Sequence, residues 1–221
     1  MLKQFLLVLS MCILCLQSVA QQYGSFKDPR DGRVYKTVKI GEQVWMAENL
    51  NVSTFRNGDP IPQAKTNEEW DRARENKQPA WCYYENAPAN GAKYGKLYNW
   101  YAVSDSRGLA PVGYHIPSDA EWTILTDYLG GAEKAGAKMK SKQGWAENGN
   151  GTNSSGFSGL PGGFRDGNGS FYYFGKLGYW WSSSELNTYY AWSRLLNYDY
   201  GNVYRYTTNK VNGFSVRCLR D

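Results

Sequence analysis

Cys82 and Cys218 are the first residues to weigh for chemistry, because a thiol pair can form a disulfide, a redox couple or part of a metal site. Cys12 and Cys15 fall in an apolar N-terminal run that reads as a secretory leader. Cleavage would leave two cysteines in an oxidising compartment, so a single Cys82–Cys218 disulfide is expected. It would close a loop of roughly 135 residues, worth on the order of 4 kcal/mol in the chain-entropy account. The alternative is two buried free thiols.

The single histidine, His115, follows Tyr114 and precedes Ile116 and Pro117, the setting of a packed ring rather than a general base or metal ligand. Glu68 and Glu69 stand at a capped helix start, where the helix dipole accounts for them. Asp166, Asn168 and Ser170 alternate as oxygen donors of the kind Ca2+ takes. Asp-Gly-Asn-Gly is also a turn sequence and no bidentate glutamate follows, so a turn is expected. No catalytic residue, metal or cofactor is expected.

The richest chemistry is for binding. From Gly178 to Asp221 the chain holds Trp180, Trp181, Trp192 and seven tyrosines. With a period of two, Trp192, Arg194 and Leu196 share one side of a strand, and Ser193, Leu195 and Asn197 the other. Asn202, Tyr204, Tyr206 and Thr208 share a side, with Val203, Arg205 and Thr207 opposite. Tyrosine gives contact area at low entropic cost, and Asn and Ser add adaptable hydrogen bonds, the composition of a paratope. The candidate contact set is Asn187, Tyr189, Tyr190, Ser193, Asn197, Tyr198, Asp199, Tyr200, Asn202, Tyr204, Tyr206 and Thr208. The bland reading is that these rings fill a core with their hydroxyls reaching water. It weakens for the whole set, because one small domain cannot bury so many phenols.

The elements that position this set follow from turns and caps. Residues 21–51 read as an opening hairpin with turns at Asp31-Gly32 and Gly41-Glu42. Thr66 and Glu69 form a capping box for a short helix with Trp70 on its buried side, stopped by Pro79. Residues 80–84 read as a strand, followed by a polar loop through Asn90-Gly91 and an aromatic stretch to Tyr101. Ser118 and Glu121 cap a second helix whose Trp122, Leu125, Thr126 and Leu129 face the sheet. Gly130-Gly131 ends it, and a weaker helix follows over residues 132–142. Residues 144–163 form a long loop anchored by Trp145 and Phe157. Residues 164–171 form a tight hairpin before the closing strands.

The first twenty residues combine Lys3, an apolar run over residues 5–16 and Ser18-Val19-Ala20, so signal cleavage is expected after Ala20. The run is shorter than the ~20 residues of a membrane span. Neither Cys12 nor Cys15 follows the small residue of a lipobox. The remaining chain, residues 21–221, is of single-domain size. Removing Lys3 from 25 basic residues leaves 24 against 20 acidic ones, with no basic run, which argues against nucleic acid. Nine Trp, 18 Tyr and 24 Gly favour short strands and loops over long helices.

Three stretches carry a family resemblance. GYHIPSDAEW, residues 113–122, resembles the R-L-P-T-E-A-E-W helix start of formylglycine-generating-enzyme-like domains. YGKLYNWYAV, residues 94–103, falls where those domains have G-N-V-W-E-W, and GFSVRCLRD, residues 213–221, resembles their closing G-F-R-C-A-R. Together with SGLPGGFRDGNGSF and WWSSSE, the chain from Asp28 onward resembles the Fibrobacter succinogenes major paralogous domain. That family occurs in exported proteins of Bacteroidota and Fibrobacterota and is related to the C-type-lectin-like fold. The resemblance implies an α+β domain with short antiparallel strands, paired terminal strands, two main helices on one side and long loops.

It also brings functional candidates. An oxidase of the formylglycine-generating kind needs a redox-active cysteine arrangement and a metal, for which this chain offers only Cys82 and Cys218. Calcium-dependent lectins of this fold use Glu-Pro-Asn or Gln-Pro-Asp with Trp-Asn-Asp, and neither set is present. Some similar proteins are variable targets of diversity-generating retroelements, which randomise adenine-rich codons to Asn, Tyr, Asp and Ser; Asn187, Asn197, Tyr198, Asp199, Tyr200, Asn202, Tyr204 and Tyr206 fit that repertoire. The expectation is an exported, periplasmic or cell-surface, non-enzymatic adhesion module for a protein or glycan ligand. A structural or appendage subunit is the main alternative.

Overall fold

The computed structural model describes residues 21–221, so the leader expected over residues 1–20 lies outside the described residues. Three consecutive strands open the fold: β1 (Gln22–Lys27), β2 (Val34–Ile40) and β3 (Gln43–Met46). Gly32 and Gly41 take positive φ at the two connections, where the sequence predicts turns. α1 (Asn67–Glu75) starts with the expected capping box on Thr66 and Glu69 and buries Trp70. It ends four residues before Pro79.

β4 (Trp81–Cys82) pairs with β5 (Leu97–Tyr98). Between them α2 (Pro88–Tyr94) replaces the expected polar loop; Pro88 opens it at a position where the missing N–H is harmless. α3 (Trp100–Val103) and β6 (Tyr114–His115) lead to α4 (Asp119–Tyr128), capped by Ser118 and Glu121 as expected. α5 (Ala132–Met139) follows, then β7 (Phe164–Arg165) and β8 (Phe171–Tyr172), paired as a hairpin. β9 (Leu177–Glu185), β10 (Tyr190–Asn197) and β11 (Val203–Asn209) form the closing ribbon, and β12 (Leu219–Arg220) ends the chain.

These elements make an α+β fold with a five-stranded sheet ordered β1-β2-β3-β12-β6 and a three-stranded sheet ordered β11-β10-β9. β12 slots between β3 and β6, with Leu219 opposite both Trp45 and His115. One core gathers Tyr35, Tyr98, Trp181, Phe214 and Val216. A second joins both sheets to α4 and α5 through Trp45, Trp122, Phe157 and Trp180. Trp45 and Trp122 meet at 4.7 Å between ring centroids, and Phe157 meets Trp180 edge-on at 5.7 Å. Trp145 and Phe157 anchor the long loop as the sequence predicts.

The cysteines depart from expectation. Cys82 and Cys218 are free, buried thiols and form no disulfide. Cys82 packs with Trp70 and Leu97, whereas Cys218 packs in the first core with Tyr98 and Val216. Burial pushes the Cys82 thiol up to about 12 and raises that of Cys218 too, which keeps both protonated and inert. We predict that neither thiol is alkylated in the native protein and that both are alkylated in denaturant without reductant. A mass 2 Da lower before reduction than after would restore the bridge, as expected for a bond lost as two hydrogens gained.

His115 is half-exposed rather than packed away. Its Nδ1 lies 2.7 Å from Asp221 Oδ1 and its Nε2 2.9 Å from Glu121 Oε1, which ties the chain end to α4. Burial lowers its pKa, but the Asp221 and Glu121 hydrogen bonds and charges outweigh that, so it is raised overall. A raised folded value means the clamp contributes fully below the ordinary value of about 6.5 and fades as pH rises through the raised one. His115→Gln should therefore lower Tm more at pH 5.5 than at pH 8.5. An equal loss at both pH values would contradict the clamp.

Candidate functional site

The site is built on the closing three-stranded sheet, whose register decides which side chains meet. Ala191, Ser193 and Leu195 of β10 stand opposite Thr208, Tyr206 and Tyr204 of β11. On the other side of β10, Ser193 and Leu195 oppose Trp181 and Tyr179 of β9. The alternate face carries Trp180, Arg194, Leu196 and Val203 and packs toward the helices. Asp119, at the start of α4, pins that rear face: its carboxylate lies 2.7 Å from both Arg194 and Arg205. Arg205 also stacks over Trp192, with 3.4 Å from its guanidinium carbon to the ring centroid. Burial pushes the Asp119 pKa up, but the two arginines overcome this and hold it below the usual carboxylate range.

The front face carries the aromatic site. Tyr204 and Tyr206 stack at 6.0 Å, and Tyr200 meets Tyr204 edge-on at 6.3 Å. Tyr206 is 48% and Tyr200 53% exposed. Beside Tyr206 lies a hollow of about 170 Å³. Leu195 and Phe214 form its floor, Phe164, Tyr179 and Tyr206 its walls, and Thr208 and Asn212 its polar rim. Burial first, then the neighbouring Tyr206 and Tyr173 hydroxyls, push the Tyr179 phenol up to about 12, so it stays a neutral donor. Phe164 stacks on Tyr173 at 6.1 Å, and Tyr173 is 55% exposed. Tyr172 completes a band running from the β8 hairpin to the turn between β10 and β11.

Two buried lysines hold the hairpin ends from behind. Lys140 Nζ donates to the carbonyls of Asn197, Tyr198 and Tyr200 at 3.0, 3.1 and 3.0 Å. Ala137 N donates to Gly201 O at 2.9 Å, and a Cβ on Gly136 would overlap the Gly201 and Asn202 carbonyls, so α5 can approach this turn only as glycine. At the opposite end Lys210, buried against the Trp100 ring, is bonded to Glu185 and donates to Thr188 O.

The twelve sequence-predicted residues therefore separate into five groups. Tyr200, Tyr204, Tyr206 and Thr208 join the aromatic face. Asn197, Asp199 and Asn202 belong to the β10–β11 turn, where Asn197 accepts from Asp199 N and Asn202 donates to Glu133. Tyr198 leaves the face to pack on the second core under Lys176. Asn187, Tyr189 and Tyr190 lie at the β9–β10 turn, which Asn187 caps through the Tyr189 and Tyr190 amides. Ser193 is a correction: it is fully buried, sharing a 2.9 Å hydrogen bond with Thr208 Oγ1 between flanking strands. Phe164, Tyr172, Tyr173, Tyr179 and Asn212 belong to the site but are absent from that set. The run Phe171-Tyr172-Tyr173-Phe174 was the signal available for them.

Asp166 and Asn168 accept from the amides of Asn168 and Ser170, so their oxygens close the turn rather than gather about a cation. Among the described residues no cluster of three His, Cys, Asp or Glu has metal-site geometry, and no helix is long and apolar enough to cross a membrane. Lys140→Met keeps the stem but removes the donor from three part-buried carbonyls, where an unmet acceptor costs up to about 3 kcal/mol. We predict a lower Tm and faster amide exchange confined at first to residues 197–202. Unchanged exchange there would remove Lys140 as the brace.

A comparison with solved structures returns no match, and none of the curated proteins matches. The model of the Fibrobacter succinogenes major domain matches residues 38–220, from the second strand of the opening hairpin to the last strand of the first sheet. That span includes both buried lysines and the whole aromatic face, and the chain belongs to the Fibrobacter succinogenes major domain family.

Proposed function

We propose that the protein is an exported binding module with a C-type-lectin-like fold, presenting its aromatic band to a protein or glycan ligand. The observation that carries this reading is the solvent-facing run of Tyr200, Tyr204, Tyr206 and Tyr173 on backbone braced from behind. Rigid tyrosines present contact area with little left to order on binding. The hollow beside Tyr206 suits one ring-shaped group, with Thr208 and Asn212 as hydrogen-bonding rim.

Binding is favoured over catalysis by how the reactive groups are used. Both nitrogens of the only histidine are engaged by carboxylates, and both thiols are buried and protonated. Retroelement diversification fits the β10–β11 turn, where Asp199 and Tyr200 are free to vary while Lys140 grips only backbone. An appendage or assembly subunit is the second reading, favoured by β1 forming the outer edge of the first sheet.

The test is Tyr204→Ala with Tyr206→Ala, screened beside the unchanged protein on glycan and extracellular-protein arrays. Central aromatic anchors cost about 2 kcal/mol or more on truncation, so captured ligands should lose affinity about thirtyfold. Tm should change by only a few degrees, as for partly exposed side chains. Undiminished capture, or outright unfolding of the double variant, would defeat the reading. Light scattering that finds a defined oligomer with no array signal would favour the assembly subunit.

A further inference from the structure

We propose that a groove of about 1210 Å³ across the first sheet is a second binding site, built for an acidic polysaccharide. The groove exists because the helices and long loop cover only one end of this sheet face. Val38, Ile40 and Trp45 are sealed into the second core, whereas Val34, on the same side of β2, is 56% exposed. Ser25, Val34 and Lys36 form the open floor. Lys93 of α2 stands on one wall and Lys142, from the loop after α5, on another.

Charge sets the class of ligand. Arg33 is 3.4 Å from Glu48, the one carboxylate lining the groove. Lys36, Lys93 and Lys142 have no carboxylate at ion-pair distance among the described residues, and all three are exposed. With Glu48 answered by Arg33, the charges left unpaired in the lining are positive, and such a cleft concentrates ligands of the other sign. The volume exceeds the roughly 300–1,000 Å³ of small-molecule sites, and the groove is open to solvent, which suits a chain rather than a metabolite.

The uncharged lining favours sugar over acidic peptide or nucleic acid. Ser25 Oγ and the Gln143 carboxamide make no hydrogen bond within the described chain and can meet hydroxyls. Tyr23, 64% exposed at the rim, offers a single ring for stacking on a pyranose face. A single-stranded nucleic acid would want a succession of aromatic platforms, and the groove has one. Uronate or sulfate groups would pair with the three lysines while the sugar hydroxyls use the neutral donors and acceptors.

The test uses polygalacturonate and chondroitin sulfate as probes, with neutral pullulan and poly-L-glutamate as comparisons, in affinity electrophoresis and calorimetry. The expected result is binding to at least one acidic polysaccharide, none to pullulan, and at least tenfold weakening between 50 and 300 mM NaCl, because exposed charges are screened. Lys93→Glu with Lys142→Glu should weaken it at least tenfold further. Tyr204→Ala with Tyr206→Ala should leave it unchanged, which separates this groove from the aromatic face. Lys93→Gln with Lys142→Gln, expected to weaken binding in the same direction, serves if charge reversal disturbs folding. Failure of both acidic polysaccharides to bind, undiminished binding by both lysine pairs, or tighter binding of poly-L-glutamate than of either polysaccharide would overturn the proposal.

Discussion

Long irregular loops carry backbone carbonyls into the interior, and a buried carbonyl without a donor is costly. In this domain buried cations answer that constraint. Arg165 is fully buried and donates to the carbonyls of Ala64, Thr66 and Gly169. Arg217, equally buried, serves Ser158, Phe157 and Met46 and shares Asn49 Oδ1 with the Trp180 indole N–H. Neither arginine has a carboxylate at ion-pair distance among the described residues; ring faces cover them instead, Trp70 and Phe171 for Arg165, Phe157 for Arg217. Burial pushes the Arg217 pKa down to about 9, yet four converging acceptors argue that the guanidinium keeps its proton.

The same device reaches the aromatic face through Lys140 and Lys210. A hairpin turn on an edge strand would ordinarily be the most mobile part of such a sheet. Here the turn carrying Asp199 and Tyr200 hangs on one ammonium group by three carbonyls, and α5 closes on it at Gly136. Backbone shape is thereby separated from side-chain identity. The chain can hold one geometry while the outward residues differ, a property that would serve the recognition role proposed for this surface.

Local signals in the sequence located most of the elements. The two capping boxes, the glycine turns of the opening hairpin and the 164–171 hairpin depend on residues within a few positions of one another, and each stands where the pattern puts it. α2 was illegible because no side chain caps it; Pro88 and packing hold it. Strand parity was also legible, since Ser193 and Tyr206 do share a face. What parity could not say is that β10 is the central strand, so Ser193 is walled in while Tyr206 on the edge strand meets solvent. The missing half of the site, Phe164, Tyr173 and Tyr179, comes from elements that meet β11 only in three dimensions. The cysteine pairing failed for the same reason: even number and oxidising compartment say nothing about which cluster each thiol joins.

β12 is two residues long, yet it occupies an interior place in the five-stranded sheet, between β3 and β6. The opening hairpin is therefore joined to β6 only through Leu219 and Arg220, far along the chain from either partner. Contacts of such large sequence separation make for slow assembly. With β12 displaced, β3 and β6 would each show an unpaired edge, so one two-residue strand guards the sheet against pairing with another chain.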